Sequence, residues 1–295
     1  MVPKLGLTKP ARRARHAVRC SSTPISVNGA RCGSARVASS QLKNSHRAAP
    51  SCSIAARTLT ASLSSLRDLA KVVGLIASTT FTPCATIEGD GLLLIDSGGQ
   101  YLGGTTDITR VIPVGTPSAD QRRDYTLVLK GLIALSSAHF PRGTRAPLLD
   151  AIARAPIWAA GIDYGHGTGH GVGYFLNVHE GPQTISPAVP PEPHTAMEVG
   201  MITSIEPGIY RPGRWGIRIE NLVLNEHVET SEFGEYLGFE TLTLCPIDTS
   251  CLDKSLMRPD EIAWLNDYHA SVRARLTPHV EGPAFEWLML RTEAI

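Results

Sequence analysis

No apolar run in this sequence approaches the 20 or so consecutive residues that a membrane-spanning helix needs, so no such helix is expected. No C-x-x-C pair occurs among the six cysteines, Cys20, Cys32, Cys52, Cys84, Cys245 and Cys251. A scattered set of this kind speaks against a disulfide framework or a structural zinc site, and for reduced thiols in a cytoplasmic protein. Acids are nearly missing from the start of the chain. Residues 1–87 hold 13 Lys+Arg and a single acid, Asp68, an excess of +12, whereas the remaining 208 residues hold 15 basic and 26 acidic residues, an excess of −11. Such asymmetry points to two pieces with different jobs. The basic piece is rich in Arg, Ser and Ala and poor in aromatics, and none is interleaved with the basic residues, so a nucleic-acid-binding arm is the least favoured reading. An organelle transit peptide and a replaced or misjoined start are the other two. Its one periodic stretch, Leu63–Ala77, predicts a weak amphipathic helix.

From about Ala85 the composition is that of an ordinary folded protein, with 42% apolar residues over the whole chain. The apolar run Leu92–Ile95 ends in Asp96, a Gly-rich turn follows, and a second extended run, Thr105–Val114, carries Asp107 near its start. This pattern predicts a β-hairpin with a long loop. Two carboxylates brought together by neighbouring strands stay ionised cheaply only if a cation or hydrogen-bond donors sit between them. Next, Ser118 or Asp120 offers an N-cap for a helix running to about Ala138, with Leu127, Val128, Leu132, Ile133 and Leu135 on its buried face. A second helix is expected from about Pro147 to Ala160, stopped by Gly161. Within it Asp150 and Arg154, four apart, read as a surface pair worth a few tenths of a kcal/mol.

The stretch from Gly165 to Gly173, GHGTGHGVG, contains His166 and His170. Two histidines four apart often mark a metal-binding helix face, but five glycines in nine positions make a helix untenable. The glycines let the backbone come close to something. There is no Lys-Ser/Thr of a phosphate-binding loop. A third histidine, His179, follows in NVHE. After a Pro-rich loop, Met201–Gly208 predicts a strand with Glu206 at its tip, and Gly216–Leu224 an alternating strand with Glu220 in its middle and Arg218 on the same face. An acid embedded among apolar strand residues needs a partner. Asp96, Asp107, His170, Glu206 and Glu220 thus form an inventory of four carboxylates and one imidazole, all on strands or strand ends. That set suits a pair of divalent cations, Mn, Co, Fe or Zn. Two-metal sites of this kind belong to hydrolases.

The order Asp, Asp eleven later, His in HGTGHGVG, Glu in EPG and Glu in RIEN resembles the metallopeptidases of the pita-bread fold. Within them the blocks IDSGGQYLGGTTDITR, GHGTGHGVGYFLNVHEGP, IEPGIY and GIRIENLVL resemble the long-form Xaa-Pro aminopeptidases (aminopeptidase P). GFETLTLCPID and EIAWLNDYH resemble the C-terminal extension of that subgroup. The likeness covers about residues 85–295. It implies an α+β fold with a curved, mainly antiparallel sheet and flanking helices. It implies two divalent metal ions, most readily Mn2+, with Co2+ or Zn2+ as alternatives. Asp96 would hold one ion, Asp107 and Glu220 would bridge both, and His170 and Glu206 would hold the other. A hydroxide between the ions would attack the bond before a proline in second position, releasing the N-terminal residue. Glu206 would act as general base, His179 would bind the substrate carbonyl, and His166 and Arg218 would line the proline side.

The sequence also departs from that family. The family's first half begins well before the first Asp and carries a substrate-binding His in an HY block, and neither is found here. The expected division is therefore a basic segment at 1–84 without a domain, a partial pita-bread domain at 85–248, and a C-terminal extension at 249–295. In the extension Trp264, Tyr268, Trp287 and Leu288 would form either a dimer contact or local core. The abrupt join near Ala85 favours a truncated or misjoined start over a transit peptide and is expected to leave apolar surface uncovered. The rival to the enzyme is a catalytically silent homologue acting as a binding module.

Overall fold

The computed structural model describes residues 87–295. The basic segment and the helix expected at 63–77 lie outside the described residues. The described chain opens with β1 (Gly91–Ser97), a small hairpin of β2 (Gln100–Tyr101) and β3 (Gly104–Thr105), and β4 (Ile108–Val114). It continues through α1 (Ala119–Ser136), β5 (Phe140–Pro141) and α2 (Asp150–Trp158) to β6 (Gly169–His170) and β7 (Thr184–Ile185). Then come β8 (Ile202–Ile205), β9 (Gly208–Arg211), β10 (Trp215–Arg218), β11 (Asn221–Ser231) and β12 (Gly234–Thr241). The helices α3 (Pro259–Leu276) and α4 (Pro283–Arg291) close the chain.

The expected hairpin is present: β1 and β4 pair antiparallel, with Asp96 opposite Thr109 and Ser97 opposite Ile108. Its second strand is shorter than the run of β-branched residues predicts, because the loop folds on itself. The Thr106 amide donates to the Gly99 carbonyl and the Gly99 amide to Thr106 Oγ1. Asp107 therefore stands just ahead of β4.

Ser118 caps α1 through a reciprocal box, its hydroxyl accepting from the Gln121 amide while the Gln121 side chain accepts from the Ser118 amide. The helix is buried on more than the single face expected, from Asp124 through Leu129 and again at Gly131–Ile133. It forms the central layer. Gly131 lets α2 approach: a Cβ there would stand 2.6 Å from the Ala153 carbonyl oxygen. The second helix is shorter than predicted, since residues 146–149 form a 3-10 turn before α2 begins.

Against α1 packs an antiparallel sheet in the order β5-β12-β11-β8. Tyr125, Leu129, Leu132, Ile157, Ile205, Val223 and Leu237 fill the space between the layers and are all fully buried. The single strand expected through residues 216–224 is broken. β10 pairs with β9, β11 pairs with β8 and β12, and Ile219 and Glu220 make the step between them. At that step the Glu220 amide donates to the Thr109 carbonyl, so the residue sits where β4, β10 and β11 meet.

In the C-terminal part Tyr268 and Leu288 belong to the chain's own core, as the local-core reading of these residues anticipates. Trp264 lies half-buried on Tyr268, ring to ring at 5.6 Å and nearly parallel.

Candidate metal centre

The Gly-rich stretch is a strand in all but name. On one edge the Val172 amide donates to the Ile202 carbonyl and the Glu206 amide to the Thr168 carbonyl. On the other edge the Thr168 and Gly171 amides donate to the carbonyls of Ile185 and Gln183. The glycines are explained by those neighbours. A Cβ on Gly169 would stand 1.9 Å from the Ser204 carbonyl oxygen, and one on Gly171 would stand 2.0 Å from that of Glu180. Glycine and side chain alternate from Gly165 to Gly173, so under the twofold period of a strand His166, Thr168 and His170 share one parity and the glycines the other.

This strand delivers His170 beside the ends of three others. Ligand atoms of Asp107, His170 and Glu220 all lie within 4.8 Å of one another. His170 Nε2 is 3.3 Å from Glu206 Oε1 and 3.7 Å from Asp107 Oδ2, while its Nδ1 faces the Gly171 carbonyl at 3.0 Å. Ser204 Oγ donates to Glu206 Oε1 at 3.2 Å and accepts the His170 amide at 3.0 Å, fixing the two side by side. Thr109 Oγ1 donates to Glu220 Oε2 at 2.7 Å. Asp96 is placed differently: it is half-exposed and ion-paired with Arg218, outside the close triad. Its charge still reaches Asp107, Glu206 and Glu220 and raises the pKa of each.

Arg218 links the parts of the site. Besides Asp96 it donates to Thr109 Oγ1 at 3.1 Å and to the Tyr210 hydroxyl at 3.0 Å, and its Nε lies 3.7 Å from Glu206. The Tyr210 hydroxyl is also 2.9 Å from His166 Nε2, so Tyr210 joins the two residues expected on the proline side. His179 packs its ring edgewise on that of His170, centroids 4.2 Å apart. All eight residues singled out from the sequence thus fall in one neighbourhood.

The electrostatics is that of crowded, buried acids. Burial pushes Glu220 up to about 8, with the charges of Glu206 and Asp107 adding to the shift and the Thr109 hydroxyl opposing it. Burial likewise raises Glu206 to about 7, against the pull of Arg218. Asp107 is raised by burial and then by Asp96. Glu220 Oε1 is buried without a hydrogen-bond partner. An orphaned carboxylate oxygen is costly, and here it belongs to the same residue whose ligand atom meets those of Asp107 and His170. The set of carboxylates and one imidazole fits divalent cations of intermediate hardness.

Arg154 overturns one expectation. It and Asp150 form a buried pair rather than a surface one, 1% and 2% exposed. Arg154 Nε donates to Asp150, and its remaining N–H groups reach Asp163 and the carbonyls of Tyr164 and His166. Its guanidinium lies 3.7 Å from the Tyr164 ring centroid. Asp150 in turn accepts from Thr168 Oγ1 at 2.7 Å. The i,i+4 pair of α2 therefore fastens the loop that carries His166 into the Gly-rich strand. Sequence reasoning also missed Thr109, Ser204 and Tyr210. The four-residue spacing from Glu206 to Tyr210 is a signal that could have drawn the eye to the last.

Known proteins resemble this chain over most of its described residues. Residues 71–226 match the metallopeptidase family M24, and residues 235–295 match the C-terminal region of peptidase M24. Aminopeptidase P1 of Lotus japonicus is 49% identical over 216 residues, 72% of this chain and 32% of that protein. A probable Xaa-Pro aminopeptidase P of Laccaria bicolor is 48% identical over 210 residues, 70% of this chain and 33% of that protein. The chain thus spans about a third of the length of these curated relatives. Among solved structures, the X-prolyl aminopeptidase of Caenorhabditis elegans, described as a cytosolic enzyme with a di-nuclear active site, aligns with TM-score 0.65 and 40% identity. That alignment covers 69% of this chain and 34% of the other, and it gives the described residues the pita-bread architecture. Since the family match runs over more than half of its length, the chain belongs to metallopeptidase family M24.

Proposed function

We propose that this chain carries the metal centre of an Xaa-Pro aminopeptidase and removes an N-terminal residue that precedes proline. The observation that carries the reading is the meeting of Asp107, His170 and Glu220 around a buried, unpartnered carboxylate oxygen. Asp96 would hold one ion, Asp107 and Glu220 both, and His170 and Glu206 the other; Mn2+ is the ion we favour. Two bound divalent cations would supply a hydroxide nucleophile at neutral pH.

Glu206, beside His170 at the centre of the cluster, would take a proton and return it to the leaving proline nitrogen. His179, held against His170, would donate to the substrate carbonyl as it gains negative charge. His166 and Arg218, joined through Tyr210, would line the proline side. Their mutual hydrogen bonds fix them before substrate arrives, which spares ordering cost. A partial catalytic domain at 85–248, an extension at 249–295 and a cytoplasmic location complete the reading. The location follows the description of the C. elegans relative.

The test is hydrolysis of Arg-Pro-Pro and Arg-Ala-Ala with added Mn2+, by the intact chain and by Glu206→Gln. Cleavage of the proline peptide alone, reduced by about 10²- to 10⁴-fold in the variant, is the expected result for loss of a general base. Cation binding without turnover of either peptide would overturn the enzyme reading in favour of a binding module.

A further inference from the structure

Arg110 is buried in β4, and among the described residues it forms no ion pair with a carboxylate. A buried guanidinium without an acid is unusual and has to satisfy every N–H on neutral acceptors. It does so across three parts of the chain. One terminal nitrogen donates to two carbonyls, those of Thr109 at 2.9 Å and Glu220 at 2.5 Å. The other reaches Asn221 Oδ1 at 2.7 Å, the Cys245 carbonyl at 2.9 Å and the Tyr268 hydroxyl at 2.9 Å. Nε donates to the Pro246 carbonyl at 3.2 Å.

Two of these contacts bear on the metal centre. The Thr109 carbonyl that Arg110 holds also accepts the Glu220 amide, and the Thr109 hydroxyl donates to the Glu220 carboxylate. Arg110 therefore grips the backbone on both sides of that carboxylate. The remaining contacts lead away from it. Tyr268 stands on α3, and its hydroxyl in turn donates to the carbonyl of Cys245 at 2.7 Å. Cys245 and Pro246 form the link from β12 toward that helix. The C-terminal region thus reaches the Glu220 backbone through the Arg110 side chain.

We infer that Arg110 is a positioning residue for the Glu220 carboxylate, and that through it the C-terminal region sets how tightly the metal centre holds its cations. The inference rests on the reading of the carboxylate cluster as a cation site. It assigns no chemistry to Arg110, which has no N–H group left to face a substrate.

The experiment is titration calorimetry of Mn2+ into the full chain and three variants, with melting temperatures recorded without metal. Arg110→Lys keeps the charge and loses the fork, and is expected to weaken Mn2+ binding by about 10- to 100-fold, the range for supporting residues of metal sites. Tyr268→Phe removes one hydroxyl on α3 that hydrogen-bonds to none of the proposed ligands, and should weaken binding by about 3- to 10-fold, below that range because one contact of several is lost. Leu288→Ala, a buried α4 residue remote from the site, should lower the melting temperature at least as much and leave Mn2+ affinity within about twofold. If Arg110→Lys does not fold, Tyr268→Phe decides. Wild-type affinity in Tyr268→Phe, or an equal loss in Leu288→Ala, would overturn the inference while leaving the cation site standing. No Mn2+ binding by the unmodified chain would reject the cation site and the inference with it.

Discussion

Arg110 and Arg154 are both buried and both gather several segments around one guanidinium, yet their partners differ in kind. Arg154 forms ion pairs with two aspartates, Asp150 and Asp163, and also donates to two loop carbonyls. Arg110 meets carbonyls, an amide oxygen and a hydroxyl. One fastens the loop that carries His166, on the side proposed to take the substrate. The other fastens the backbone of an acid on the metal side. A charged pair resists removal of either member because the survivor is left buried and uncompensated. A guanidinium on neutral acceptors leaves no charge behind when it goes, only unsatisfied oxygens. The site therefore rests on two supports that should fail in different ways.

The largest effect is expected at the charged one. Arg154→Met should cost about 3–5 kcal/mol in urea unfolding, and Asp150→Asn added to it should restore part of the loss. A single-variant cost below about 1 kcal/mol would mean that the pair is not what holds the loop.

The acids give the next prediction. Glu206 and Glu220 are raised to about 7 and about 8, above the ordinary value of 4.5. Their folded-state values exceed the unfolded ones, so the stability they lend to the metal-free chain is present below about pH 4.5 and is lost as pH rises through 7 to 8. Cations favour the ionised forms and must displace the protons. The gap in melting temperature between Mn2+-loaded and metal-free chain should therefore widen from pH 6 to pH 8, and calorimetry near pH 6.5 in two buffers should show about one to two protons released per site filled. A gap that narrows over this range would mean that the acids are not the cation ligands.

A smaller effect separates the two sides. Arg154→Lys should raise KM for Arg-Pro-Pro by about 3- to 10-fold with kcat and Mn2+ affinity nearly unchanged, the pattern of lost uniform binding. A fall in Mn2+ affinity as large as that of Arg110→Lys would erase the distinction between the two arginines. The smallest effect belongs to neither: Ser118→Ala removes the cap of α1 and should cost about 1 kcal/mol in urea, with kinetics and Mn2+ affinity untouched.

What could be read from the sequence follows the same division. That Asp96, Asp107, His170, Glu206 and Glu220 gather in one neighbourhood was legible because strands bring acids together at their ends, and because that order of residues resembles a known family. The hairpin and the helix over residues 119–136 were legible from period and capping. The supports were not. Asp150 and Arg154 have the same i,i+4 spacing whether buried or exposed, and the carbonyls of Tyr164 and His166 leave no mark in a sequence. Apart from the neighbouring Thr109 carbonyl, the acceptors of Arg110 lie more than a hundred residues away, several of them main-chain oxygens with no side-chain signature. The strand through Glu220 read as continuous because its alternation is unbroken; what divides it is a change of partners, which alternation does not encode.

The alternation of glycine and side chain from 165 to 173 has a further consequence, for folding. A strand that pairs one residue out of step turns every side chain to the opposite face. Here a slip by one would put a glycine where His170 belongs and drive a side chain against the Ser204 carbonyl, which leaves no room for a Cβ. The emptiness of every second position thus works as a keyway: it admits the chain in one frame and rejects the adjacent one, so the histidine arrives at the acids by exclusion as much as by attraction.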